Sequence, residues 1–239
     1  MPQAAQTAKG TLKRTLLSDI SAKMAAHGFM LVCAVFAMSA LGQAQPGARP
    51  SASNRAAALV QELRQFEAGL PAMGRSDGVP DLVEERRYRV YKELWILGLA
   101  AIPALSDGLA DRDVQVRRSV ALFLNFSAGT WNKSMTPPLN IRGCLRSLIA
   151  ALKDPDERVR GLSAQAIGSI GSDASSAVPS LVALLASPSE GSRNSALIGL
   201  AGIGPAARDA LPAVREALSD PSDNVRRFAQ RAITMIDVP

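Results

Sequence analysis

The folds open to this chain are limited above all by a block of sequence that keeps returning. LIAALKDPDERVRGLSAQAIGSIG, LVALLASPSEGSRNSALIGLAGIG and VREALSDPSDNVRRFAQRAITMID align at a spacing of 33 residues, which sets Pro155, Pro188 and Pro221 in one column and Arg160, Arg193 and Arg226 in another. A fourth copy, LSDGLADRDVQVRRSVALFLNFSA, lies upstream at an offset of 43, and the loop Gly129–Leu139 takes up the difference. Repetition at this period marks a structural unit too small to bury its own apolar face, so that neighbouring units must cover one another.

The apolar columns describe the unit. Ile102, Leu105 and Leu109 correspond to Leu145, Leu148 and Leu152, to Val178, Leu181 and Leu185, and to Leu211, Val214 and Leu218. Each set follows i, i+3, i+7 spacing, which is one face of a helix. A turn comes next: Asp111-Arg112-Asp113, Asp154-Pro155-Asp156, Ser187-Pro188-Ser189 or Asp220-Pro221-Ser222. Proline halts the first helix there, and Asp or Ser caps the second. The second helix has its own stripe, Val159, Leu162, Ala166, Ile167 and Ile170 in one copy and Val225, Phe228, Ala232, Ile233 and Ile236 in another. Gly171 and Gly204 stand at C-cap positions. Only 4% of the chain is aromatic, so the core is read as Ala, Leu, Val and Ile between close helices. The expectation is an all-α solenoid.

A period of 33 also suits ankyrin and tetratricopeptide units, but neither the T-P-L-H-x-A nor the W-x-x-L-G-x-x-Y signature occurs. Pro103, Asp111 and Val116-Arg117 recur as Pro212, Asp220 and Val225-Arg226. In the second unit Arg146 replaces the proline, with Asp154 and Val159-Arg160 kept. In the third, Pro179 and Arg193 remain, but Ser187 and Ser192 replace the Asp and Val. This pattern resembles the HEAT repeat, in particular the short bacterial form related to the phycobilisome-lyase HEAT-like family. The resemblance implies a right-handed α-solenoid of about four to five helix pairs: a degenerate capping pair over 54–97, then repeats over 98–128, 140–171, 174–204 and 207–237 within 98–239. It further implies a ladder in which turn Asp and second-helix Arg residues pair between units, made of Asp111, Arg117, Asp154, Arg160, Arg193, Asp220 and Arg226. Ser187 is expected to leave Arg193 without its carboxylate.

Residues 1–44 read as a signal peptide. Lys9, Lys13, Arg14 and Lys23 precede the uncharged run Gly28–Leu41, followed by small residues at Ala40, Gly42 and Ala44 and a polar linker over 45–53. The run is shorter than the roughly 20 residues that span a bilayer, and an uncleaved inner-membrane anchor is the alternative. The expected location is periplasmic or secreted. The segment holds four of the 27 basic residues and one of the 21 acidic ones, leaving 23 against 20. The net charge of +6 thus falls by half, and a nucleic-acid partner becomes a poor expectation. A membrane partner is expected only if the segment stays uncleaved.

Chemistry is scarce. The sole histidine, His27, lies in the leader, so residues 45–239 contain no Ser-His-Asp or Cys-His set and lack the commonest metal ligand. Cys144 is the one cysteine beyond the leader and reads as a small core residue. Neither metal nor cofactor is expected, and the chain reads as a non-enzymatic scaffold with a protein partner. The family alternatives are a chromophore lyase, an alkylpurine DNA glycosylase using residues such as Trp95 and Trp131, or a non-catalytic nucleic-acid binder. Two departures from the repeat are candidate contact sites. The insertion carries Trp131, Lys133 and Met135; Trp131 is either an interface anchor or a cover for an inter-unit gap. In ERRYRVYKELW, Tyr88, Tyr91 and Trp95 are interleaved with arginines, as in an RNA or acidic-peptide site, or else are the core face of an amphipathic helix.

Overall fold

The computed structural model describes residues 50–66, 82–128 and 139–238. All belong to one unit, Pro50–Pro239. Residues 1–44, expected from the sequence to be a signal peptide, and the insertion residues Trp131, Lys133 and Met135 lie outside the described residues.

Every regular element among the described residues is helical. Helices α1 (Ala52–Glu62) and α2 (Leu82–Leu97) come first. Four pairs follow: α3 (Ile102–Gly108) with α4 (Val114–Ala128), α5 (Leu145–Ala151) with α6 (Glu157–Ile170), α7 (Val178–Leu185) with α8 (Glu190–Ile203), and α9 (Leu211–Glu216) with α10 (Asp223–Ile236). The first helix of each pair is short and enters through a 3-10 turn. Pro103, Pro179 and Pro212 occupy its opening positions, where a missing N–H costs nothing and the fixed φ suits a helix. Gly171 and Gly204 end α6 and α8 with φ of 79° and 71°, left-handed values that a side chain would strain.

Each first helix contributes one residue to the middle of the stack. Leu105, Leu148, Leu181 and Val214 are all fully buried. Burial of each such side chain stabilises the fold by about 2 kcal/mol, and the sum supports a stack no single pair could hold. Second helices form one continuous row, α4 on α6 on α8 on α10, with α6 on α8 the most extensive packing. Columns from this row are equally deep: Val120, Ala196 and Ala229 are fully buried, and so are Leu124, Ile167 and Leu200.

The outer flank of the last unit differs. Gln230 is exposed where the equivalent Ala121, Ala164 and Leu197 are fully buried. Leu218, expected in the apolar stripe, is 37% exposed. At the other end α1 packs on α2 and α3. No described helix is long and apolar enough to cross a membrane.

Candidate functional site

The turns between paired helices line up along one edge of the stack, and each is a small hydrogen-bonding device. Its first residue accepts the backbone N–H two positions on: Asp111 from Asp113 (2.8 Å), Asp154 from Asp156 (2.8 Å), Ser187 from Ser189 (3.3 Å) and Asp220 from Ser222 (2.9 Å). Asp156, Ser189 and Ser222 then cap α6, α8 and α10. Short polar side chains suit both places because they satisfy N–H groups that a helix start leaves unpaired.

An arginine six residues after the first residue of each turn binds it from behind. Arg117 Nη1 donates to the carbonyls of Asp111 (2.9 Å) and Arg112 (3.2 Å), Arg160 Nη1 to Asp154 (2.8 Å) and Pro155 (3.0 Å), and Arg193 Nη1 to Ser187 (3.0 Å) and Pro188 (3.2 Å). Arg226 Nη1 does the same with Asp220 (2.6 Å) and Pro221 (3.0 Å). The other edge of the guanidinium reaches forward to the next unit. Arg117 grips Asp154 through Nε (2.7 Å) and Nη2 (3.2 Å), and Arg193 grips Asp220 through Nε (2.7 Å) and Nη2 (2.9 Å). Both pairs are nearly enclosed, with side chains 13% and 7% exposed in the first and 15% and 10% in the second. A planar fork on a carboxylate is the strong form of the ion pair. Upstream, Asp111 takes Gln61 (3.3 Å) and Arg64 (3.4 Å) instead. Arg226 pairs with Asp223 of its own helix.

Forward reach corrects one expectation. The arginine deprived of a carboxylate by Ser187 is Arg160, one unit earlier, while Arg193 holds Asp220 fully. Arg160 Nε turns to the Ser192 hydroxyl at 3.3 Å. The two departures in the third repeat, Ser187 and Ser192, are therefore one feature: a hydroxyl takes part of the work of the missing carboxylate. Asp220 is held below the usual carboxylate range by the Arg193 hydrogen bonds, and Asp156 by those of Arg118. Asp111 is lowered first by the Asp113 backbone N–H.

A second surface runs along the second helices. Leu122, Gly161, Leu162, Gln165, Gly191 and Ser195 line an open groove across α4, α6 and α8, with Glu157 and Arg158 at its rim. Gln165 spans it, accepting from Asn125 (3.4 Å) and donating to Ser195 (3.2 Å). Arg158 is exposed. Nothing in the repeat pattern singled out this polar rung; small and amide residues at second-helix positions 125, 165 and 195 were its only signal.

The aromatic segment divides. Trp95 is 8% exposed. Tyr91 is half-buried, donates its hydroxyl to the Ser119 carbonyl (3.1 Å) and lies 5.1 Å from the Phe123 ring. Tyr91 thus joins α2 to α4, whereas Tyr88 is 49% exposed. Cys144 is fully buried, its thiol pushed up by burial and taking a weak hydrogen bond from Ser106 (3.7 Å), which is not a nucleophile's setting. No group of His, Cys, Asp and Glu suited to a metal ion occurs among the described residues.

Comparison with known proteins agrees with this architecture. The family of HEAT repeats matches residues 139–201. No curated protein matches the sequence. Among solved structures, an engineered protein from the Northeast Structural Genomics Consortium aligns at 22% identity over 75% of this chain and 80% of its own, with a TM-score of 0.54. A designed armadillo repeat protein in complex with peptide (KR)4 aligns at 21% identity over 75% and 81%, with a TM-score of 0.52. The complex of CpcE and CpcF of phycocyanin lyase from Nostoc sp. PCC7120 aligns at 23% identity over 82% and 68%, with a TM-score of 0.49, too loose a likeness to carry argument. With HEAT repeats matched over residues 139–201 and paired helices stacked on both sides of the match, the described residues form an α-solenoid whose middle is similar to that family.

Proposed function

We propose that the protein is a non-catalytic scaffold that holds a protein partner along its second-helix groove, in the cell envelope or outside the cell. The groove carries the reading: apolar Leu162 and the small Gly161, Gly191 and Ser195 leave room beside the Gln165 rung, and Arg158 and Glu157 supply charge at the rim. An apolar floor, a few placed polar groups and a charged edge suit a peptide segment. The absence of histidine from residues 45–239 removes the usual general base at neutral pH. The location rests on the basic, apolar and small-residue pattern of residues 1–44.

Leu162→Arg tests the groove. A photo-crosslinker placed at Gln165 in growing cells is expected to trap a discrete protein, and the arginine is expected to abolish the adduct while the melting midpoint stays within a few degrees. An adduct that survives Leu162→Arg would defeat the proposal. Mass spectrometry of the envelope fraction is expected to find a mature N-terminus near residue 45; an intact residue 1 in the cytosol would defeat the location.

A further inference from the structure

We propose that Arg160 is a receptor for a carboxylate that the chain does not itself supply, seated where the turn aspartate sits in the flanking units. This site lies on the turn edge, apart from the groove, and does not rest on the scaffold reading.

The protein contains its own templates. On one side of Arg160, the fork of Arg117 encloses Asp154; on the other, the fork of Arg193 encloses Asp220. In both cases the arginine is held in place from behind by two turn carbonyls through Nη1. Arg160 keeps that rear clamp intact, with 2.8 and 3.0 Å bonds to Asp154 and Pro155. Its guanidinium is therefore oriented like its neighbours and faces the third unit. There the sequence offers Ser187, shorter and uncharged, whose hydroxyl already accepts the Ser189 N–H. The Ser192 hydroxyl satisfies Nε. Nη2 has no acceptor among the described residues, and the charge has no acidic partner there. A half-buried arginine in this condition is preorganised, since the cost of fixing its side chain is already met by the rear clamp.

The chemistry of the missing group is defined by the templates. The flanking forks hold planar, singly charged carboxylates through Nε and Nη2; a carboxylate entering from outside would meet the open Nη2 and complete the same grip by taking Nε from the Ser192 hydroxyl, bound at 3.3 Å. An acidic side chain of a bound protein and a free carboxylate share this chemistry, and the experiment separates them.

Side-chain Nε–Hε resonances of Arg117, Arg160 and Arg193, assigned by single Arg→Lys variants, are followed by NMR at constant ionic strength. Four titrants are used: sodium acetate, sodium phosphate, a blocked tripeptide with a central Glu, and the same tripeptide with Gln. Arg160 is expected to shift saturably with acetate and with the Glu peptide but not with the Gln peptide, while Arg117 and Arg193 stay unmoved. Tighter saturation by the Glu peptide assigns the site to protein side chains; equal or tighter saturation by acetate assigns it to small carboxylates. Ser187→Asp is the filling variant: it restores the flanking arrangement and is expected to abolish the Arg160 response. The Arg117 and Arg193 signals report that this variant is folded. Absence of a saturable Arg160 shift, equal shifts at all three arginines, or a response that persists in Ser187→Asp would overturn the proposal, as would phosphate saturating the site as tightly as acetate.

Discussion

Two neighbouring junctions in the stack solve one problem by different means. Between α4 and α6 the join is polar and directional: Arg117 grips Asp154, and beside it Arg118 Nε donates to Asp156 at 3.0 Å. Between α6 and α8 the fork is missing, and the helices instead meet backbone to backbone. A β-carbon on Gly202 would lie 2.5 Å from the Gly168 carbonyl oxygen, one on Gly168 2.9 Å from the Gly199 α-carbon, and one on Gly199 2.7 Å from the Ala164 carbonyl oxygen. The junction without its carboxylate is the one with the most extensive helix packing. A repeat can thus hold its neighbour by charge at the turn end or by close approach farther along the helices, and the first end then becomes available for other use.

Gly202→Val attacks the close-packed junction and carries the largest expected effect. The new side chain meets backbone that cannot rotate away, so the helices must part, at a cost of about 3 kcal/mol. Gly191→Ala is the control, because its β-carbon would meet the movable end of Glu157; its stability is expected to equal or slightly exceed that of the parent. Urea unfolding measures both. A Gly202→Val protein as stable as the parent would show that contact at this junction is incidental.

Asp154→Ala attacks the polar junction. Removing the carboxylate leaves the enclosed fork of Arg117 unmatched and frees the Asp156 N–H, with an expected loss of about 2 kcal/mol. The outcome that sharpens the comparison is asymmetry: Ser187→Ala at the other junction removes one hydroxyl acceptor and is expected to cost less than half as much. Equal losses would mean that the turn serine and the turn aspartate do the same work.

Much of this was legible in the sequence. Periodicity located the second helices, because a second-helix residue such as Val159 or Val225 has one apolar direction and the 33-residue register repeats it. The proline and glycine boundaries were equally plain, since their backbone constraints are local. What the sequence concealed was direction across units. Arg193 and Ser187 share a repeat, so composition alone suggested that they are partners. Only the lean of the side chain toward the following unit transfers the deficit to Arg160. The glycine contact was hidden for a related reason: Gly199 and Gly202 read as helix interior and cap neighbours, and their meaning depends on Ala164 and Gly168 of another helix. Tyr88 and Tyr91 show the same limit, for one helix segment presents both a packing residue and an exposed one.

Acid offers the finest distinction between the two kinds of join. At the α8–α10 junction the Arg193 hydrogen bonds hold Asp220 below the usual carboxylate range, so the folded protein binds its proton less readily than the unfolded chain. A lowered folded value means that the stabilisation is complete above the unfolded value, near 4, and is lost as pH falls through the folded one. Asp220→Asn keeps the shape and removes this linkage. The parent is therefore expected to melt above the variant at neutral pH, with the gap narrowing below about pH 4 and closing in stronger acid. The Gly202→Val deficit, which involves no titrating group at the contact, should instead persist over the same range. A gap between parent and Asp220→Asn that stays constant into strong acid would show that Asp220 acts through shape and neutral hydrogen bonding, and the contrast between charged and close-packed junctions would then lose its electrostatic half.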